Sequence, residues 1–152
     1  MNVRALEIQD LDACIRIGAL MHAESVYRVH PFSEDRLRFL AHQCLTNEDY
    51  VCFVAERNDE IIGLMVGIAG HNFFADSRYA ADLALYVVPE HRGSTAAVRL
   101  VIEFSKWAAD VGCQELRCGV TTGINDEVGG KLYKRFGFEN GGTLYVKQIS
   151  PL

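Results

Sequence analysis

Leu83 to Val101, LALYVVPEHRGSTAAVRLV, constrains the fold more than any other part of this chain. Strand-like apolar residues run up to Pro89, which has no N–H to give to a sheet ladder. A basic turn of small residues follows: Arg92, Gly93, Ser94, Thr95, Ala96 and Ala97. A helical pattern then begins, with Ala97, Leu100, Val101, Phe104, Trp107, Ala108 and Val111 on one face. A strand leading through such a turn into a helix N-terminus offers unsatisfied backbone donors and a partial positive charge. Those are the requirements of a phosphate site, so the segment predicts a phosphorylated ligand.

The neighbouring patterns place this unit in one domain spanning residues 1–152. Val3–Leu6 reads as a short strand. Asp10 reads as the N-cap of a helix over Leu11–His22, and Ser33 opens a second helix bearing Leu37, Leu40, Ala41, Cys44 and Leu45. Tyr50–Glu56 and Ile61–Ala69 form a predicted hairpin about Asn58-Asp59. Further strands are expected at Ala80–Val88, Glu115–Thr121 and Thr143–Ile149. Helices are expected at Gly93–Val111, with Gly112 as its stop, and at Asp126–Phe136. The order β, α, α, β, β, β, α, β, α, β predicts an α/β protein with a mixed sheet and helices on both faces.

Composition excludes several classes of function. A formal net charge of −5 argues against nucleic acid as the partner. Five cysteines, an odd number without a CxxC pair, predict reduced buried thiols and a cytoplasmic setting. The apolar run at Ile61–Gly70 is too short to span a membrane, and the N-terminal residues lack a signal-peptide core. The histidines His22, His30, His42, His71 and His91 lack metal-ligand spacing, so no metal is expected. There is no GxSxG elbow, and Cys118 has no evident base nearby, which argues against an acyl-enzyme.

Two motifs carry a family resemblance. LYVVPEHRGSTAA, Leu85 to Ala97, resembles the acyl-CoA pyrophosphate loop of the GNAT N-acetyltransferases, commonly written [QR]-x-x-G-x-[GA]. Arg92 holds its first position and Ala97 its last, while Thr95 stands where the middle Gly is usual. NDEVGGKLYKRFGF, Asn125 to Phe138, resembles the late helix of the same family, and the element order matches across nearly the whole chain.

The resemblance implies a mostly antiparallel sheet with one splayed parallel strand pair, and acetyl-CoA or another short acyl-CoA lying in the opening. It implies cofactor contacts from the backbone of Tyr86, Val87 and Val88, from Arg92, Gly93, Ser94, Thr95, Ala96 and Ala97, and from Asn125. An oxyanion donor on that strand is worth about 3 kcal/mol in other enzymes. If residue 95 needed a positive φ, Thr95 would weaken this site.

The implied reaction is attack of an amine on the thioester. At pH 7 only about one alkylamine in 2,500 is neutral, a deficit of roughly 4.6 kcal/mol, so a base is valuable. Asp82 is the candidate. Counting by twos, it shares a face with Ala84, Tyr86 and Val88. Tyr133 matches the tyrosine that protonates the leaving thiolate in the family. His22, Glu24 and Tyr27, with Phe73 and Phe74 opposite, would bound the acceptor site, where an acid and aromatics suit a cation. The acceptor is a small-molecule or peptide amine, and a homodimer is compatible with the resemblance. A rival reading is a non-catalytic acyl-CoA sensor on the same fold.

Overall fold

The computed structural model describes residues 1–151. Five strands form one sheet in the order β1-β2-β3-β4-β5: Asn2–Ala5, Tyr50–Arg57, Glu60–His71, Arg78–Val87 and Glu115–Arg117. The first four pair antiparallel, and β4 pairs with β5 in parallel. The predicted hairpin forms β2 and β3. Its turn residues Asn58 and Asp59 both have positive φ, 52° and 61°, as a two-residue turn matching the strand twist requires.

Helices cover both faces, as the element order predicts. α1 (Leu11–Glu24) and α2 (Glu34–Thr46) lie on one side. They help enclose a core containing Cys14, Ile17, Cys52, Val54 and Tyr86. α3 (Ala96–Asp110) and α4 (Asp126–Arg135) pack on the other side with Val51, Ala55, Met65 and Ala80. Ala96, Leu100, Val101, Phe104 and Ala108 form the fully buried stripe of α3. Gly67 allows that helix its close approach, because a Cβ there would collide with the Phe104 ring.

Three expectations are corrected. Asp10 does stand at the N-cap of α1, but its side chain makes no capping bond there. Its carboxylate accepts the Glu7 amide at 2.8 Å and a bidentate pair of bonds from Arg4, which holds its pKa below the ordinary carboxylate value. The strand expected at Glu115–Thr121 ends at Arg117, since beyond Ala81 and Arg117 the parallel ladder stops. Thr143–Ile149 is not a strand: the segment has no ladder partner, and Leu144, Tyr145, Val146 and Ile149 are exposed. Alternating apolar residues create β-propensity, but a strand also needs an adjacent edge and a covering layer.

Candidate active site

The early end of the β4–β5 ladder opens a cleft. From Asp82 to Val87, β4 has no ladder partner on its β5 side. The cleft encloses about 1100 Å³ between this free edge, residues 115–122, α4 and the segment after it. A smaller space of about 190 Å³ adjoins it over the loop before α3. The two share Leu85, Thr122, Ile124 and Gly129 as walls, so one opening runs from Asp82 to the α3 N-terminus.

At the α3 end, Pro89–His91 form a 3-10 turn and Gly93 adopts φ 83°. No atom lies within 4 Å of a Cβ added at Gly93, so backbone conformation alone demands glycine there. Thr95 has φ −79°, an ordinary value for a side-chain-bearing residue. The substitution at the usual glycine position therefore strains nothing. Among the described residues, the amides of Gly93, Thr95 and Ala97 find no protein acceptor. Ala96 is different: its methyl is buried and its N–H donates to Ser94 Oγ at 3.3 Å. Asn125, in the left-handed conformation (φ 50°) ahead of α4, lines the same space as Gly93 and Ser94.

Arg92 braces this loop. Its Nε donates to the Val87 carbonyl at 3.1 Å, and its two terminal nitrogens each donate to Glu24 at 2.6 Å. The Tyr86 hydroxyl donates to the same carboxylate at 2.7 Å, and the guanidinium lies over the Tyr86 ring, 5.3 Å from its centroid. The hydrogen bonds from Arg92 hold the Glu24 pKa low, while burial pushes the Tyr86 phenol up to about 12. Val88 donates its N–H to Ile62 across the sheet. Successive amides of a strand point to opposite edges, so the Val87 N–H points to the open one.

At the other end stands Asp82. Its Oδ2 accepts the Tyr133 hydroxyl at 3.0 Å and its Oδ1 accepts the Gly119 amide at 2.9 Å. Burial raises the Asp82 pKa despite both bonds. Burial, then the adjacent Asp82 charge, raises that of Tyr133, so Tyr133 stays a phenol and a donor. Burial also pushes the Cys118 thiol up to about 12, which keeps it from serving as a nucleophile at neutral pH.

The expected alternation along β4 is overturned. Val66 pairs with Ala84 but Gly67 pairs with Asp82, so Leu83 is the extra residue of a β-bulge. Asp82 thus faces α4 with Ala80 and Tyr133, whereas Ala84 and Tyr86 face α1 and α2. Asp82 and Tyr86 lie on opposite faces of the sheet.

A family model for the GNAT acetyltransferases matches residues 17–138. The chain belongs to the GNAT acetyltransferase family.

Solved structures share this GNAT fold over nearly their whole length. AAC(6')-Iy, in complex with the bisubstrate analogue CoA-S-monomethyl-acetylneamine, superposes with a TM-score of 0.80 at 18% identity, covering 98% of this chain and 97% of that one. The ribosomal-protein-alanine N-acetyltransferase of Brucella melitensis biovar Abortus 2308 gives 0.73 at 17%, covering 98% and 100%. The aminoglycoside acetyltransferase meta-AAC0020, from an uncultured soil metagenomic sample and bound to sisomicin, gives 0.75 at 16%, covering 98% and 96%. No curated protein matches the sequence.

Within this GNAT domain, the residues expected to surround an acceptor divide: His22 and Tyr27 share the wall of a cavity beside α1 and α2, while Glu24, Phe73 and Phe74 lie elsewhere. Tyr27 lines the cleft and hydrogen-bonds Thr121 Oγ1 at 2.7 Å through its hydroxyl. Glu24 is engaged by Arg92 and Tyr86. His22 Nε2 bonds the His30 carbonyl at 2.7 Å. Phe73 and Phe74 pack against each other with tilted rings in the exposed loop before β4, outside the cleft. Two features escape the sequence reading. One is the Glu24–Arg92 brace, whose partners are 68 residues apart. The other is the Gly119 amide on Asp82, which carries no side-chain signal.

Proposed function

We propose that this chain transfers an acyl group, acetyl in the simplest case, from acyl-CoA to a primary amine within one ternary complex. What supports this reading most is continuity. One opening joins an anion-ready loop to a hydrogen-bonded Asp82–Tyr133 pair along an unpaired strand edge. The donor sets fit the parts of acyl-CoA: free amides at Gly93, Thr95 and Ala97 for the pyrophosphate, and the open β4 edge for the amides of the pantetheine arm. When bound, acyl-CoA supplies a carbonyl activated as a thioester.

The chain's own residues then manage the protons. Asp82, with its raised pKa, takes the proton the amine nitrogen loses as the new C–N bond forms. Tyr133 gives its hydroxyl proton to the sulfur as the C–S bond breaks. Asp82 passes the amine's proton to Tyr133 along their shared hydrogen bond, so both side chains end as they began. Arg92 acts as a positioning residue that holds the loop, since Glu24 and Val87 occupy its donors.

Aminoglycosides and a ribosomal-protein alanine appear among the names of the fold relatives, and both are amine acceptors. The decisive experiment pairs acetyl-CoA binding with an amine panel. An acyltransferase is stabilised by acetyl-CoA and releases free CoA only when an acceptor amine is present. Stabilisation without amine-dependent release makes the chain a sensor instead, and no stabilisation removes acyl-CoA altogether.

A further inference from the structure

A second cavity lies between α1, α2 and strands β2–β4, on the sheet face opposite Asp82 and Tyr133. It encloses about 230 Å³. Cys14, Leu40, Ala41, Cys44, Cys52 and Val66 form much of its wall. It meets the cleft at the bulge, because Leu83 and Ala84 line both spaces.

Its chemistry is one-sided. No carboxylate, lysine or arginine lines it. Its polar side chains, apart from the thiols, are His22, Ser25 and Tyr27, and each already has a partner. His22 bonds the His30 carbonyl, Ser25 Oγ donates to the His22 carbonyl at 3.3 Å, and Tyr27 pairs with Thr121. Burial pushes the Cys44 thiol up to about 11, whereas the hydrogen bond with Cys52 lowers the pKa of Cys14. An ammonium group entering here would lose its hydration and gain no counter-charge. An uncharged hydrocarbon loses nothing.

We propose that this cavity receives the acyl chain of the donor, and that the chain prefers a medium-length acyl-CoA to acetyl-CoA. The inference rests on the acyltransferase reading above, which places the thioester along the free edge of β4. At Leu83–Ala84 the bulge divides the two faces. Asp82 and Tyr133 serve the nitrogen and sulfur on one face, and the apolar cavity opens to the carbon substituent on the other. An apolar cavity of about 150 Å³ holds benzene, so a space half as large again suits a straight chain of roughly six to eight carbons.

Calorimetric titration with CoA, acetyl-CoA, butyryl-CoA and hexanoyl-CoA tests this directly. Each buried methylene adds up to about four-fold in affinity, so hexanoyl-CoA is expected to bind at least ten-fold tighter than acetyl-CoA. Ala41→Phe fills the cavity from α2 and abolishes that advantage while leaving acetyl-CoA binding unchanged. Leu40→Ala enlarges the cavity and moves the preference toward octanoyl-CoA, which gives an independent check should the larger residue disturb α2. Equal or weaker binding of hexanoyl-CoA beside normal binding of acetyl-CoA overturns the acyl-pocket proposal alone. Failure of every acyl-CoA, and of CoA itself, to bind overturns the acyltransferase reading with it.

Discussion

The Tyr133 hydroxyl donates to the Asp82 carboxylate at 3.0 Å, joining α4 to β4 across the cleft. Each group explains the other's state. Burial raises the pKa of both, and the carboxylate's charge adds to the rise at the phenol. The result is a base and an acid held in contact, both with pKa values raised above those of the free side chains.

Removing the phenol hydroxyl tests its role in proton delivery. Tyr133→Phe is expected to lower kcat at least ten-fold while leaving the acetyl-CoA Kd within about two-fold. An unchanged kcat in steady-state assays contradicts the general-acid assignment.

Asp82 gives a pH dependence of definite sign. As a base it must be ionised, so kcat rises with pH through a midpoint above the ordinary carboxylate value near 3.9. Asp82→Asn removes this acidic limb and lowers kcat. Stability runs the other way. A carboxyl whose folded pKa is raised stabilises the fold while protonated, and that contribution is lost as pH rises through the folded pKa. The wild type is therefore expected to lose stability relative to Asp82→Asn between the unfolded carboxylate pKa and the raised folded one. Melting curves of the two proteins across that range measure it.

Glu24 behaves in the opposite sense. Its hydrogen bonds from Arg92 hold its folded pKa below the unfolded value. The ion pair's contribution is present above the unfolded pKa and lost as pH falls through the folded one. Arg92→Ala is expected to cost about 1 kcal/mol at neutral pH, discounted for partial exposure, and to weaken acetyl-CoA binding several-fold by loosening the loop. The stability difference between the two proteins shrinks in acid.

The loop glycine and the residue at the usual glycine position separate cleanly. Gly93→Ala keeps all space free but forces a Cβ onto φ 83°, costing about 1–2 kcal/mol. Thr95→Gly relieves no strain, because φ at Thr95 is already −79°. Differential calorimetry is expected to show a lower Tm for the first. Titration is expected to show acetyl-CoA affinity within about two-fold of wild type for the second.

Much of this was legible in the sequence because periodicity records burial. The buried positions Leu100, Val101, Phe104 and Ala108 of α3, the Asn58-Asp59 turn and the loop at Arg92–Ala97 follow from residue type and spacing, whereas the core face begins at Ala96 rather than the expected Ala97. Features set by tertiary pairing were not legible. Strand alternation assumes an uninterrupted ladder, and the Leu83 bulge reverses it, so Asp82, which alternation alone puts on the face of Tyr86, meets Tyr133. Glu24 has the sequence signal of a cation site because its actual partner, Arg92, lies 68 residues away. Thr143–Ile149 has a strand's alternation without a strand's neighbour. Thr95 stands where a glycine is usual, and only the folded backbone, with φ −79°, shows that glycine is not needed there.

Amine-dependent release of CoA thiol from acetyl-CoA, by the wild type beside Tyr133→Phe, tests the central claim most directly. The panel should span aminoglycosides, polyamines and peptide N-termini. The expected result is turnover by the wild type with at least one amine, none without amine, and a loss of ten-fold or more in Tyr133→Phe. Binding of acetyl-CoA with no thiol release across the panel, or equal turnover by both proteins, contradicts it.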